Sequence, residues 1–212
     1  GMQGGTDGGV GDTAGSASFG AIMHNVVAQS ILALKVEQAA QRAVEAHQRG
    51  EKPIIALSNT LASVLNDYID EAGLKINGEV SGLTFNRIFE NYLKRTRRVT
   101  LKDPRDPDKK IHHFITDAEL HEVGHGHLIR QYEKLRALVK ATDMGTMPAS
   151  PIDALIWKMT DAGMKVGEIT GRGTVIEMDR PDGGVLRLRD ASQAAKKRTM
   201  NAFNRGDIDA LV

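Results

Sequence analysis

Met200-Asn201-Ala202-Phe203-Asn204-Arg205-Gly206-Asp207-Ile208-Asp209-Ala210-Leu211-Val212 is the stretch on which the fold turns. The residues before it, from Ala191, form a helical pattern. Asn204 to Asp207 reads as the helix stop, with Gly206 suited to a left-handed cap. Ile208 to Val212 then reads as a strand that begins and is cut off. A buried parallel strand needs greater length and a return connection, so the pattern predicts a chain that stops inside its own sheet, as part of a larger protein.

Working upstream, Lys165-Val166-Gly167-Glu168-Ile169-Thr170 reads as a strand ending in Gly171-Arg172. Pro151 to Ala162 before it is a helix, with Pro151 in its first turn and Gly163 at its end. Thr174 to Met178 and Val185 to Leu188 make a hairpin around Pro181-Asp182-Gly183-Gly184. Near the start, Lys52-Pro53-Ile54-Ile55-Ala56-Leu57-Ser58 is a short apolar run, read as a buried strand. Ser58-Asn59-Thr60 supplies N-cap chemistry for a helix from about Leu61 to Glu71, with Leu61, Val64, Leu65 and Tyr68 on one face. Strand, polar cap and helix make an α/β unit, whose ligands sit at the carboxyl ends of strands.

Residues 1–20 hold eight of the 22 glycines, and this composition predicts a flexible leader. Gly1 before Met2 reads as an expression-tag scar. Residues 21–50 form an N-terminal helix, with Ile22, Val26, Ile31, Leu34 and Ala39 at helical spacing and Gly50 as the stop. Residues from about 74 to 150 read as a mixed α/β insertion. Phe85, Ile88, Phe89 and Tyr92 mark one helix there. Val99 to Lys102 and Ile111 to Ile115 flank a proline-stiffened loop, and Thr116 with Glu119 makes a capping box. The box opens a long helix to about Ala141, with Leu128, Tyr132, Leu135 and Val139 as its stripe.

Composition narrows the class. Of 212 residues, 41% are hydrophobic and 26% charged, which describes a globular chain. The net charge of +1 leaves a polyanionic partner to local clusters. The absence of cysteine excludes disulfide scaffolds, thiolate zinc sites and cysteine nucleophiles, and favours the cytoplasm. No apolar run reaches membrane-spanning length and no signal peptide is visible.

Four motifs carry chemistry, each with a plainer alternative. Thr170-Gly171-Arg172 combines a hydroxyl, a flexible backbone and a guanidinium at a strand end; it reads as a phosphate grip or as a surface turn. Ser58-Asn59-Thr60 is an N-cap that can also touch a nucleic-acid backbone. Lys94-Arg95-Thr96-Arg97-Arg98 and Lys196-Lys197-Arg198 can neutralise phosphates or form solvated faces. His121-Glu122-Val123-Gly124-His125 fits H-E-x-x-H, in which two histidines hold zinc and Glu122 is the general base. Against that, Gly124 and Gly126 disfavour helix, and Leu128 and Gln131 stand where the metzincin pattern has Gly and His. Asp143, Asp153 or Asp161 would then have to complete a site. No Gly-Lys dipeptide or G-x-G-x-x-G is present, so the chain lacks a P-loop and a dinucleotide fingerprint.

The segments Lys52 to Thr60, Ser150 to Leu155 running on to Gly167-Glu168-Ile169-Thr170-Gly171-Arg172, and Met200 to Val212 together resemble the C-terminal half of a superfamily-two helicase. The nearest likeness is to the strawberry notch helicase-like family, whose bacterial members are often joined to a DNA methylase. The resemblance spans about Ala21 to Val212. It implies that residues 51–212 are an incomplete second RecA-like domain, a mostly parallel sheet carrying the insertion. Ser58, Asn59, Thr60, Thr170, Gly171 and Arg172 would face DNA, joined by Arg95, Arg97 and Arg98. ATP and magnesium would bind in the full-length protein, between this half and a first RecA-like domain holding the P-loop. This half alone would hydrolyse nothing. The zinc reading of His121, Glu122 and His125, and a purely DNA-binding module, are the two alternatives from other classes.

Overall fold

Small side chains decide how the N-terminal helix packs. The computed structural model describes residues 11–57, 62–103, 105–141, 144 and 147–212. In it α1 runs Gly11–Gln48 and buries Ala33, Val36, Ala40 and Ala43. Ile31 and Leu34, expected in the buried stripe, are 49% and 69% exposed. The alanines let α1 lie close to a second helix, α6 (Pro151–Asp161), and larger side chains on that face would hold it off. The helix also includes residues 11–20, assigned from composition to a leader; extending a formed helix adds a hydrogen bond per residue and skips the cost of nucleation.

The elements between are α2 (Ala62–Ala72), β1 (Glu79–Val80), α3 (Phe85–Arg95), the hairpin β2 (Arg98–Asp103) and β3 (Asp106–Phe114), α4 (Asp117–Glu122) and α5 (Gly126–Ala141). After α6 come β4 (Val166–Gly167), β5 (Thr174–Arg180), β6 (Gly183–Leu188), α7 (Gln193–Arg205) and β7 (Ala210–Leu211). The expected long helix from Thr116 is two helices. The Thr116–Glu119 capping box starts α4 as read, but Gly124 takes φ +77° and the His125 N–H closes on the Leu120 carbonyl at 2.7 Å. Glycine adopts that left-handed conformation without a Cβ penalty, so the chain turns there. Of the expected stripe of α5, Val139 is buried while Leu128 and Leu135 are exposed.

The chain is a mixed α/β protein with small sheets, and most of its strand pairing is antiparallel. β1, β6 and β5 form one antiparallel sheet and β2 pairs β3. The parallel part consists of β4 and β7, extended by Ile54, which bridges to Leu211. The Ile55 N–H donates to the Leu211 carbonyl (2.8 Å) and the Leu211 N–H to that of Pro53 (3.1 Å). The final strand therefore lies between two parallel neighbours, and Ala210, Leu211 and Val212 are buried. α7 is capped by Ser192, which accepts from the Ala195 N–H, and stops at Gly206 with φ +87°.

Two apolar clusters share the interior. One joins α2, α3 and the antiparallel sheet through Leu65, Tyr68, Ile88, Tyr92, Ile176 and Leu186. The other joins α1, α6 and the parallel strands through Val36, Ile152, Leu155, Met159 and Val212. α6 lies against both, and the site described next is fixed to it.

Candidate nucleic-acid interface

The turn after β4 is built by ion pairs. Val166 and Gly167 pair with β7, and one further bond from the Ile169 N–H to the Val212 carbonyl (2.9 Å) carries the chain to Glu168-Ile169-Thr170-Gly171-Arg172. There the Arg172 guanidinium turns inward. Its Nη2 donates to Asp153 Oδ1 of α6 at 2.6 Å and its Nε to Glu168 Oε1 at 2.7 Å. The Arg172 and Asp153 side chains are each 2% exposed. Ser150 donates its hydroxyl to the other Asp153 oxygen at 2.5 Å, and Thr170 donates to Glu168.

A second arginine closes the turn from the opposite side. Arg189, just past β6, donates to the carbonyls of Glu168 (3.1 Å), Thr170 (2.8 Å) and Arg172 (2.7 Å). Its own N–H bonds the Gly173 carbonyl at 2.8 Å. Every other carbonyl of the turn is thus held by one guanidinium. The N–H groups of Thr170, Gly171, Arg172 and Gly173 have no acceptor among the described residues, and Gly171 and Gly173 are exposed. Successive backbone donors form an anion-binding concavity where the turn makes them converge.

Burial and charge oppose each other in this cluster. Burial pushes the Asp153 carboxyl above its ordinary range, and Arg172, Ser150 and the Ile176 backbone offset only part of that. Burial also pushes Glu168 upward, but Arg172, Thr170 and Arg189 together outweigh it and hold the carboxyl below its ordinary value. For Arg172 burial works against the charge, and its two carboxylates more than restore it, so its pKa is raised. The cluster leaves the guanidinium permanently charged and engaged within the protein. Gly171 is exposed at the surface of the turn, Thr170 is half-buried with its hydroxyl held by Glu168 and Arg189, and Arg172 holds the turn from beneath.

The basic run 94–98 divides in the same way. Arg95 pairs with Asp67 and with Glu71 (2.7 Å), tying α3 to α2. Beside it, burial and then Asp67 push the Tyr92 hydroxyl up to about 12. Arg97 pairs with Asp117 at 2.5 Å and lies 4.9 Å over the Tyr132 ring, tying the hairpin to α4 and α5. Lys94 is exposed, Arg98 is half-buried, and neither has a carboxylate partner among the described residues. In the second run, Arg198 pairs with Asp190 at 3.1 Å on the surface. Ser58, Asn59 and Thr60 lie outside the described residues, as does Asp143.

The histidine motif is divided between elements. His121 is in the last turn of α4, Glu122 ends it, and His125 follows the Gly124 break. The His125 and His127 rings meet edge to face with centroids 6.0 Å apart. Among the described residues no three His, Asp or Glu side chains converge as a metal-binding group. Asp153, one proposed third ligand, is committed to Arg172, and Asp161 lies beside Trp157 in a groove between α1 and α6.

Arg189 carried no signal in the sequence. It stands 17 residues beyond Arg172, just after an ordinary alternating strand, and only the return of the β5–β6 hairpin brings it to the turn. No described helix is long and apolar enough to cross a membrane. No family model matches the chain, and no curated protein and no solved structure matches it.

Proposed function

We propose that this chain is the second RecA-like lobe of an ATP-driven DNA translocase of superfamily two, similar to strawberry notch helicases, and that Thr170 to Gly173 touches the phosphate backbone of DNA. One observation carries this reading: a turn at the carboxyl end of a parallel strand has backbone N–H groups without an acceptor among the described residues, exposes Gly171 and Gly173, and is fixed on its inner side by a buried ion cluster. Ligands of open parallel sheets collect at such strand ends. Backbone donors grip a phosphate without reading its base, which suits a motor that must step along any sequence. A turn locked by Arg172 and Arg189 needs no reordering when the phosphate arrives.

In this reading the backbone N–H groups of Thr170 and Gly171 make the contact, and Arg172 is a positioning residue. Lys94 and Arg98 add charge nearer the hairpin, and Arg95 and Arg97 serve the fold. ATP with magnesium, when bound against a P-loop lobe, supplies the energy. This chain's part is to hold the strand and move as one body. The test is DNA-stimulated ATP hydrolysis by the full-length gene product. Wild type should hydrolyse ATP faster when single-stranded DNA is added, and Gly171→Asp should lose that stimulation while keeping its DNA-free rate. Hydrolysis indifferent to DNA in the wild type would overturn the proposal.

A further inference from the structure

Among the described residues the outer edge of the parallel strands is unpaired, and it has a charged wall beside it. Residues 53 and 55 turn their backbone groups toward β7, as the two bonds with Leu211 require. Strand geometry then turns the N–H and C=O of Ile54 and Ala56 the other way. Neither residue has a backbone partner on that side among the described residues. Ile54 is 64% exposed and Ala56 is exposed. α1 forms the facing wall of this groove, with Lys35, Gln38, Ala39 and Arg42 along it. Lys35 and Arg42 are exposed, two turns apart, and neither is paired with a carboxylate among the described residues.

We infer that this groove takes an extended acidic peptide segment, which adds a strand to the Ile54–Ala56 edge and sets its carboxylates against Lys35 and Arg42. An open edge is a template for strand addition, in which the main chain supplies affinity and alternate side chains supply specificity. The exposed carbonyls need donors, which a phosphate backbone lacks and a peptide has. The apolar Ile54 takes the inward side chains of an alternating segment, and the cations of α1 select acidic residues for the others. This surface is separate from the turn after β4, so it stands or falls independently of the DNA reading.

The probe is a fluorescent alternating Glu-Val peptide of about eight residues, near the length of an ordinary strand, compared with its Lys-Val counterpart by anisotropy on the 212-residue chain. The wild type should bind the acidic peptide and not the basic one. Ala56→Pro removes one outward N–H and no bond to β7, so it should fold normally and weaken binding about tenfold or more. Lys35→Glu with Arg42→Glu should reverse the preference, and this readout stands even if the proline variant folds poorly. Binding of both peptides alike, binding unchanged in Ala56→Pro, or no binding would overturn the inference. So would a dimer in analytical ultracentrifugation that Ala56→Pro dissolves, because the occupant would then be a second copy.

Discussion

Arg172 Nη2 lies 2.6 Å from Asp153 Oδ1, with both side chains withdrawn from water, and this pair joins the turn after β4 to the helix that lies against both apolar clusters. Removing one partner leaves the other charge buried without compensation. Arg172→Leu should therefore destabilise the chain by about 3–5 kcal/mol, read as a lower midpoint in urea unfolding. The exposed pair between Arg198 and Asp190 gives the contrast: Arg198→Ala should leave the midpoint unchanged within error.

The capping box of α4 sets an acid limb. Glu119 accepts from the Thr116 backbone and side chain and from His113, and these lower its pKa from 4.5 to about 2. A depressed carboxyl contributes stability above its unfolded pKa and loses it as the pH falls toward its folded one. The difference between wild type and Glu119→Gln in α4 order, followed by amide exchange, should be full above pH 4.5 and vanish as the pH approaches about 2. A difference that grows on acidification would contradict the cap.

Gly167 holds α7 close to the parallel strands. A Cβ there would meet Thr199 Cγ2 at 2.6 Å, Ile208 Cδ1 at 3.1 Å and Leu211 Cδ2 at 3.2 Å. Gly167→Ala should cost about 1–3 kcal/mol through overpacking. Thr199→Ala removes the nearest of those atoms, so the double variant should recover part of the loss. A double-mutant cycle by thermal unfolding measures that recovery.

Neighbouring cations of the run 94–98 should separate into two phenotypes. Arg95→Ala breaks the link to Asp67 and Glu71 and should lower the melting temperature. Lys94→Ala and Arg98→Ala should leave melting alone and weaken DNA binding, with a shallower dependence on salt as phosphate contacts are lost.

Local chemistry made many boundaries legible. Gly206 ends α7, Pro151 opens α6, Thr116 and Glu119 open α4, and Pro181-Asp182 turns the second hairpin, all as their residue types dictate. What long-range pairing decides was less legible. The runs at 52–58 and 165–170 read as full strands, but the paired lengths are set by a β7 of two residues. Gly124 in the left-handed region divided a periodic segment, and periodicity does not show φ. At the candidate site, Thr170-Gly171-Arg172 was found from its position after a strand. The inward turn of Arg172 depends on Asp153, 19 residues away, and the clamp depends on Arg189, so neither could be seen in a local motif.

Gly171 offers the most direct test of the proposed DNA contact, because an added Cβ there meets nothing within 4 Å and its φ is not in the left-handed region. The measurement is anisotropy of a labelled single strand of about 20 nucleotides with the 212-residue chain, titrated from about 50 to 200 mM salt, for wild type and Gly171→Asp. Wild type should bind with affinity that falls as salt rises, and Gly171→Asp, unchanged in circular dichroism, should bind about tenfold more weakly because its carboxylate sits where the phosphate belongs. Equal binding by the two proteins, or no binding by the wild type at the lowest salt, would contradict the account.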